Sequence, residues 1–218
     1  MTIRWDWIGR NLDVITGNMM AHVYLVVIAV VVGFLISAVL ASFILRRPRA
    51  YAQVTAVTGI MYTIPSLALF ALLIPVTGTS VLTVEIGLVS YTLLILVRHI
   101  VAGMRGVDRS VVEAATGMGY TGRRLRWEIE VPLALPVILV GLRVATVTTV
   151  GLATMAAIIG VEGLGSLIYR GLQDFTFPTG QTQMLVGTTL AVILAIVLDL
   201  LLVGAARILT PWARRRGA

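Results

Sequence analysis

Long apolar runs separated by short polar connections dominate the 218-residue chain. A helix that crosses a bilayer needs about 20 mostly apolar residues. Five stretches meet that need, over residues 22–45, 52–75, 81–100, 136–160 and 182–208. The first carries no formal charge from His22 through Leu45. The second contains Pro65 after Thr63 and Ile64, which predicts a kink; Pro75, Thr77 and Gly78 predict a short turn at its end. The third has Glu85 near one end and Arg98 and His99 near the other. The segment 160–181, between the last two runs, is too polar to span. The expected fold is an all-α integral membrane protein, one domain over residues 1–218 with about five transmembrane helices.

The N-terminal twenty residues mix Asp6 and Asp13 with Arg4 and Arg10, and the apolar run that follows is too long for a signal peptide. It is expected to stay as a membrane helix. Arginine placement then orients the spans. Arg46, Arg47, Arg49, Arg105, Arg109, Arg123, Arg124, Arg126 and Arg214–Arg216 fall on one side, against Arg4, Arg10 and Arg170 on the other. The Arg-rich side is expected in the cytoplasm, with the N-terminus outside and the C-terminus inside. The net charge of +7 therefore points to cytoplasmic loops and anionic lipid rather than to nucleic acid.

Composition excludes several chemistries. All 17 basic residues are Arg, and a phosphate-binding P-loop needs its Lys, so ATP energy has to come from a partner. No Cys is present, which removes disulfides, thiolate metal sites and a Cys nucleophile. His22 and His99 lie far apart in sequence. No cofactor or metal is expected on the chain itself.

Residues 105–132 form a polar, Arg-rich island between the third and fourth spans. Ser110 and Glu113 have the spacing of a capping box, with Asp108 as an alternative cap. Ala114 and Ala115 favour helix and offer a small surface for close packing. Gly117 and Gly119 are expected to end that helix, Gly119 in a left-handed turn. A second short helix from Thr121 would place Leu125 and Ile129 on one face, and Pro132 and Pro136 are expected to break it. These features alone also fit a generic helix-loop-helix resting on lipid phosphates.

The order Glu113-Ala114-Ala115, three residues, Gly119, nine residues, then Ile129, Val131 and Pro132 resembles the EAA loop of ABC-importer permeases. The departure is Val131 where that pattern has Leu. The resemblance implies a type I ABC importer permease fold with 105–132 as the cytoplasmic coupling loop, Glu113 and Gly119 being central to ATPase docking. Tyr62-Thr63-Ile64-Pro65-Ser66-Leu67-Ala68-Leu69, Arg105-Gly106-Val107-Asp108 and Gly163-Leu164-Gly165-Ser166-Leu167-Ile168 are similar to permeases for glycine betaine, carnitine, choline and related osmoprotectants. His99 and Glu85 depart from that pattern. The implied machine has two permease subunits, identical or paralogous, a partner ATPase that binds ATP and Mg²⁺, and a separate extracytoplasmic solute-binding protein in a bacterial-type cytoplasmic membrane. The same architecture importing an amino acid, or an ion-coupled carrier using Asp199 and Glu85, are the alternatives.

Tyr62, Thr63 and Ser66 surround Pro65, where a kink frees carbonyls that can line a polar path. Gly141, Ala145, Thr149, Ala153 and Ala157 repeat every four residues. Such a stripe packs helices closely or lines an interface or path, and Thr149 is its polar member. Gly33, Ser37 and Ala41 form a shorter stripe. Asp199 within the fifth span calls for a partner, to be found among Arg98, Arg143 and Arg207; Arg98 and Arg143 are expected to snorkel towards the cytoplasm. Tyr169, Phe175 and Phe177 are candidate outer-loop contacts for a binding protein. Trp5, Trp7, Trp127 and Trp212 sit at span edges, as interfacial anchors do. With aromatics so few, solute selectivity is expected in the binding protein.

Overall fold

A computed structural model describes residues 3–212, and among them every regular element is helical. The predicted Arg214, Arg215 and Arg216 lie outside the described residues. After a short α1 (Trp5–Arg10) comes α2 (Leu12–Arg46), then the pair α3 (Ala50–Thr63) and α4 (Ser66–Thr77), and α5 (Val81–Arg105). The loop helices α6 (Arg109–Gly117) and α7 (Gly122–Leu125) lead through a π turn, Arg126–Glu130, into α8 (Val131–Ala153) and a 3₁₀ turn, Thr154–Ile159. Helices α9 (Leu164–Gln173) and α10 (Pro178–Leu209) complete the chain. Four helical runs are long and apolar enough to cross a membrane: α2, α5, Gly122–Ile159 and α10. The bent pair α3 and α4 brings the number to the predicted five when the two helices are taken together as one span.

At Pro65 the predicted kink is a full break. Helices α3 and α4 meet at 97°, with Ile64 and Pro65 in extended conformation. The residue before a proline is pushed out of the helical region, and proline has no N–H to carry the ladder across. The Ile64 carbonyl that loses its helical donor accepts from the Tyr91 hydroxyl of α5. Of the turn predicted over Pro75, Thr77 and Gly78, the turning residue is Gly78, whose φ is +70°, while α4 runs on through Pro75 to Thr77. Pro75 costs the ladder one N–H without stopping the helix, and Gly78 supplies the backbone freedom for the turn.

The core forms where α5 lies between α2 and α8. Lipid is as apolar as leucine, so close packing rather than water exclusion drives such contacts. The two small-residue stripes meet this need. Gly33, Ser37 and Ala41 are buried along α2, and a Cβ on Gly33 would lie 1.9 Å from Thr92 Oγ1. Gly141, Ala145, Thr149, Ala153 and Ala157 are buried along α8 and its 3₁₀ extension. A Cβ on Gly141 would lie 2.4 Å from His99 Cβ. Both stripes thus serve packing inside the chain. Helix α9 is amphipathic and packs on the start of α10, and the rest of α10 exposes Val192, Ile196, Leu200 and Leu201.

Helix α2 begins ten residues before its predicted span because polar residues there are satisfied internally. Asn18 and His22, one turn apart, are both buried. Asn18 Oδ1 accepts from Gly163 N at 3.3 Å, and His22 Nδ1 accepts from Leu164 N at 3.3 Å. His22 Nε2 lies 3.1 Å from the Val150 carbonyl. Because Nδ1 accepts, the network assigns the proton to Nε2, which donates to Val150. One face of α2 thereby pins the turn that enters α9.

Candidate functional site

The loop between α5 and α8 is built from its caps outward. Asp108 is the N-cap of α6: its carboxylate accepts from Ser110 N at 2.9 Å and from Ser110 Oγ at 2.8 Å. The Ser110–Glu113 capping box is not formed. The helix starts at Arg109, so Ser110 already lies in its first turn, and Glu113 instead approaches Arg109 at 3.6 Å on the exposed surface. At the other end Tyr120 N bonds Ala115 O at 3.2 Å and Gly119 N bonds Thr116 O at 3.0 Å, with Gly119 at φ +87°. This is a Schellman closure, and Gly119 occupies its left-handed position as expected.

Ala115 is buried beneath α6, whereas Glu113, Ala114, Gly117, Met118 and Gly119 face outward. The small surface expected of the two alanines therefore belongs to Ala114 alone. Leu125 and Ile129 are both partly buried, in keeping with a shared face. The breaks predicted at Pro132 and Pro136 do not occur, for the helix passes through both. The π turn is the reason at Pro132. Val131 N reaches back five residues to Arg126 O, and this wider register admits Pro132 at the start of α8, where a missing N–H costs least. Arg124 holds Glu128 through Nε at 2.9 and 3.0 Å and lies 4.7 Å from the Tyr120 ring centre. Arg126 approaches Glu130 at 3.7 Å. The segment thus runs from the exposed surface of α6 through these ion pairs into the span α8.

At the α3–α4 break the structure brings together Tyr62, Thr63, Pro65 and Ser66. Tyr62 is 37% exposed and meets the Tyr91 ring edge-on, centroids 5.8 Å apart. Thr63 Oγ1 donates to Ile60 O at 2.7 Å, and Thr63 and Pro65 are exposed. Thr149 is not part of this group. It is 1% exposed within the α8 packing stripe, and its hydroxyl donates to Ala145 O at 2.7 Å.

Asp199 has a partner. Arg143 Nε and Nη2 each donate to one of its carboxylate oxygens at 2.8 Å. Of the three arginines weighed from sequence, Arg143 is therefore the one, and it pairs across α8 and α10 instead of snorkelling. Both carboxylate oxygens of Glu85 are buried without a hydrogen-bond partner among the described residues. At the chain start Asp6 accepts from Arg4 at 2.8–2.9 Å and from Arg10 at 2.7 Å. The Arg4 bond holds its carboxyl well below the usual carboxylate range. Sequence reasoning missed the Asn18–His22 anchor; its signal was two polar residues at i and i+4 beside an apolar helix.

The chain is 34% identical over 195 residues to the glycine betaine/carnitine/choline transport system permease protein OpuCB of Bacillus subtilis, covering 87% of this chain and 86% of that one. It is 35% identical over 196 residues to the choline transport system permease protein OpuBB of the same organism, covering 89% and 88%. It is 36% identical over 196 residues to the osmoprotectant import permease protein OsmW of Salmonella typhimurium, covering 87% and 89%. Among solved structures, inward-facing MetNI methionine ABC transporter matches with a TM-score of 0.79 at 21% identity, over 91% of this chain and 97% of that chain, a likeness of fold. A family model for the inner membrane component of binding-protein-dependent transport systems matches residues 29–215. The chain therefore belongs to the family of binding-protein-dependent transport system inner membrane components.

Proposed function

We propose that this chain is the membrane-spanning subunit of an ABC importer for a quaternary-ammonium osmoprotectant such as glycine betaine, choline or carnitine. A separate ATPase binds ATP and Mg²⁺ and docks on α6. A second permease subunit, identical or paralogous, completes the path, and a separate binding protein delivers the solute from outside. The carrying observation is α6 itself: Glu113, Ala114 and Gly119 are presented outward on a capped helix braced to the base of α8. Closure of the ATPase dimer pulls on α6, the π turn transmits the pull, and α8 tilts against α5 and α10. The solute class rests on the curated relatives, whose printed names include glycine betaine, carnitine and choline.

The path is assigned to the α3–α4 break, where Tyr62, Thr63, Pro65 and Ser66 gather; Thr149 contributes through packing. The orientation follows the positive-inside rule, with α6 in the cytoplasm and the N-terminus outside. An ion-coupled carrier is disfavoured, because Arg143 holds Asp199 as a structural charge. The test is uptake of labelled glycine betaine, choline and carnitine into vesicles holding the permease, its ATPase and its binding protein. Uptake that needs both ATP and the binding protein is expected. Uptake driven by an ion gradient without ATP contradicts the importer mechanism.

A further inference from the structure

The outer end of the bundle, away from the coupling loop, holds two clefts that share a single turn. Gly160 and Glu162 line both. One cleft, of about 250 Å³, lies against α9 and includes Tyr169 and Arg170. The other, of about 470 Å³, opens towards α2 and α5 and includes Tyr24 and Ser80. The turn between them is fixed from beneath. Gly160 takes φ +82°, and the Asn18 and His22 bonds to Gly163 N and Leu164 N hold the exit into α9. Tyr169, Arg170 and Gln173 lie on one face of α9, and Leu164, Leu167 and Gly171 on its buried face. Glu162 and Arg170 are exposed, and neither makes an ion pair with another described residue. A carboxylate thus stands on a rigid turn with a tyrosine in the cleft on either side, and a guanidinium lines one of those clefts.

We infer that Glu162, Tyr169 and Arg170, which line the cleft against α9, form a transit site for a zwitterionic quaternary-ammonium solute at the outer mouth. This inference rests on the quaternary-ammonium class proposed above. A trimethylammonium group has no N–H to donate, so it is recognised by a ring face and a nearby negative charge; Tyr169 and Glu162 supply these in one cleft. A solute carboxylate is recognised by a guanidinium fork, which Arg170 supplies. Both charged groups stay wet, so the site binds weakly. Weak binding suits a station that a solute must enter and leave. The site predicts a discrimination that the binding protein cannot produce: Arg170 serves solutes with a carboxylate, whereas Glu162 serves every quaternary ammonium.

The test measures uptake rates in vesicles holding the whole complex, as the concentration of liganded wild-type binding protein is raised to saturation. Glycine betaine, a zwitterion, and choline, a cation, are compared for Arg170→Gln and Glu162→Gln. Arg170→Gln is expected to slow glycine betaine about two- to fivefold, the scale of a solvent-exposed charge contact, and to leave choline unchanged. Glu162→Gln is expected to slow both. Equal slowing of both solutes by Arg170→Gln, with a rise in the half-saturating concentration of binding protein, overturns the solute site and makes this a protein-docking face. Wild-type rates for both variants overturn it in favour of solvated charges. If the unaltered complex couples ATP to uptake but carries neither solute, the quaternary-ammonium class fails and the site with it. If the unaltered complex carries both and only the variant pattern fails, the class stands and the site alone is lost.

Discussion

Gly119 shapes the end of α6 through its backbone alone. Its left-handed conformation closes α6 and fixes the angle at which the chain turns towards α8. A β-branched residue there costs about 1–2 kcal/mol, so Gly119→Val is expected to fray α6 and weaken ATPase binding, read as ATPase co-purified with the permease in detergent. His22 is a stability residue. His22→Phe leaves the Leu164 N–H at the start of α9 buried without its partner, at about 1–3 kcal/mol, and removes the bond to the Val150 carbonyl. A fall in the thermal unfolding midpoint of the purified permease is expected, larger than for a substitution on a lipid-facing position such as Val39. The Arg143–Asp199 pair predicts non-additivity: Arg143→Met alone strands a carboxylate within the span. The double variant with Asp199→Leu should recover much of the lost midpoint. Sequence could show that Asp199 needs a partner. It could not choose among three arginines, because the choice depends on how α8 and α10 rotate against each other.

At the scale of elements, prolines were the least legible features. Pro65 announced a disturbance, but its size, a 97° break, depends on the Tyr91 hydroxyl that takes the Ile64 carbonyl from 27 residues away. Pro132 announced a stop that the π turn removed. Local chemistry sets where the ladder lacks a donor, and tertiary contacts decide whether the helix bends, breaks or shifts register. A distance measurement between spin labels at Val57→Cys and Leu72→Cys, both exposed, checks the first point. Pro65→Ala combined with Tyr91→Phe is expected to lengthen the distance more than either change alone. The spans themselves were legible, because their length and apolarity are imposed by the bilayer. So was the closure at Gly119, because only one backbone conformation suits that position. The cap was legible only as a pair of candidates, Asp108 and Ser110, whose helix starts differ by two residues.

The proposed chemistry lies at two ends of the molecule: α6, the proposed docking helix, at the Arg-rich end, and the His22-anchored turn at the other. The cysteine-free sequence makes the orientation directly testable. With Met118→Cys and Leu172→Cys, both exposed, a membrane-impermeant thiol reagent is expected to label position 172 in intact cells and position 118 only after the cells are opened. The central claim is that α6 hands the ATPase's movement to the spans. Its most direct test compares ATP hydrolysis and solute uptake in vesicles carrying the whole complex with wild-type or Glu113→Ala permease. The account predicts that Glu113→Ala abolishes binding-protein-stimulated hydrolysis and uptake together while the spans stay folded. Full uptake with Glu113→Ala and Gly119→Val combined would contradict it.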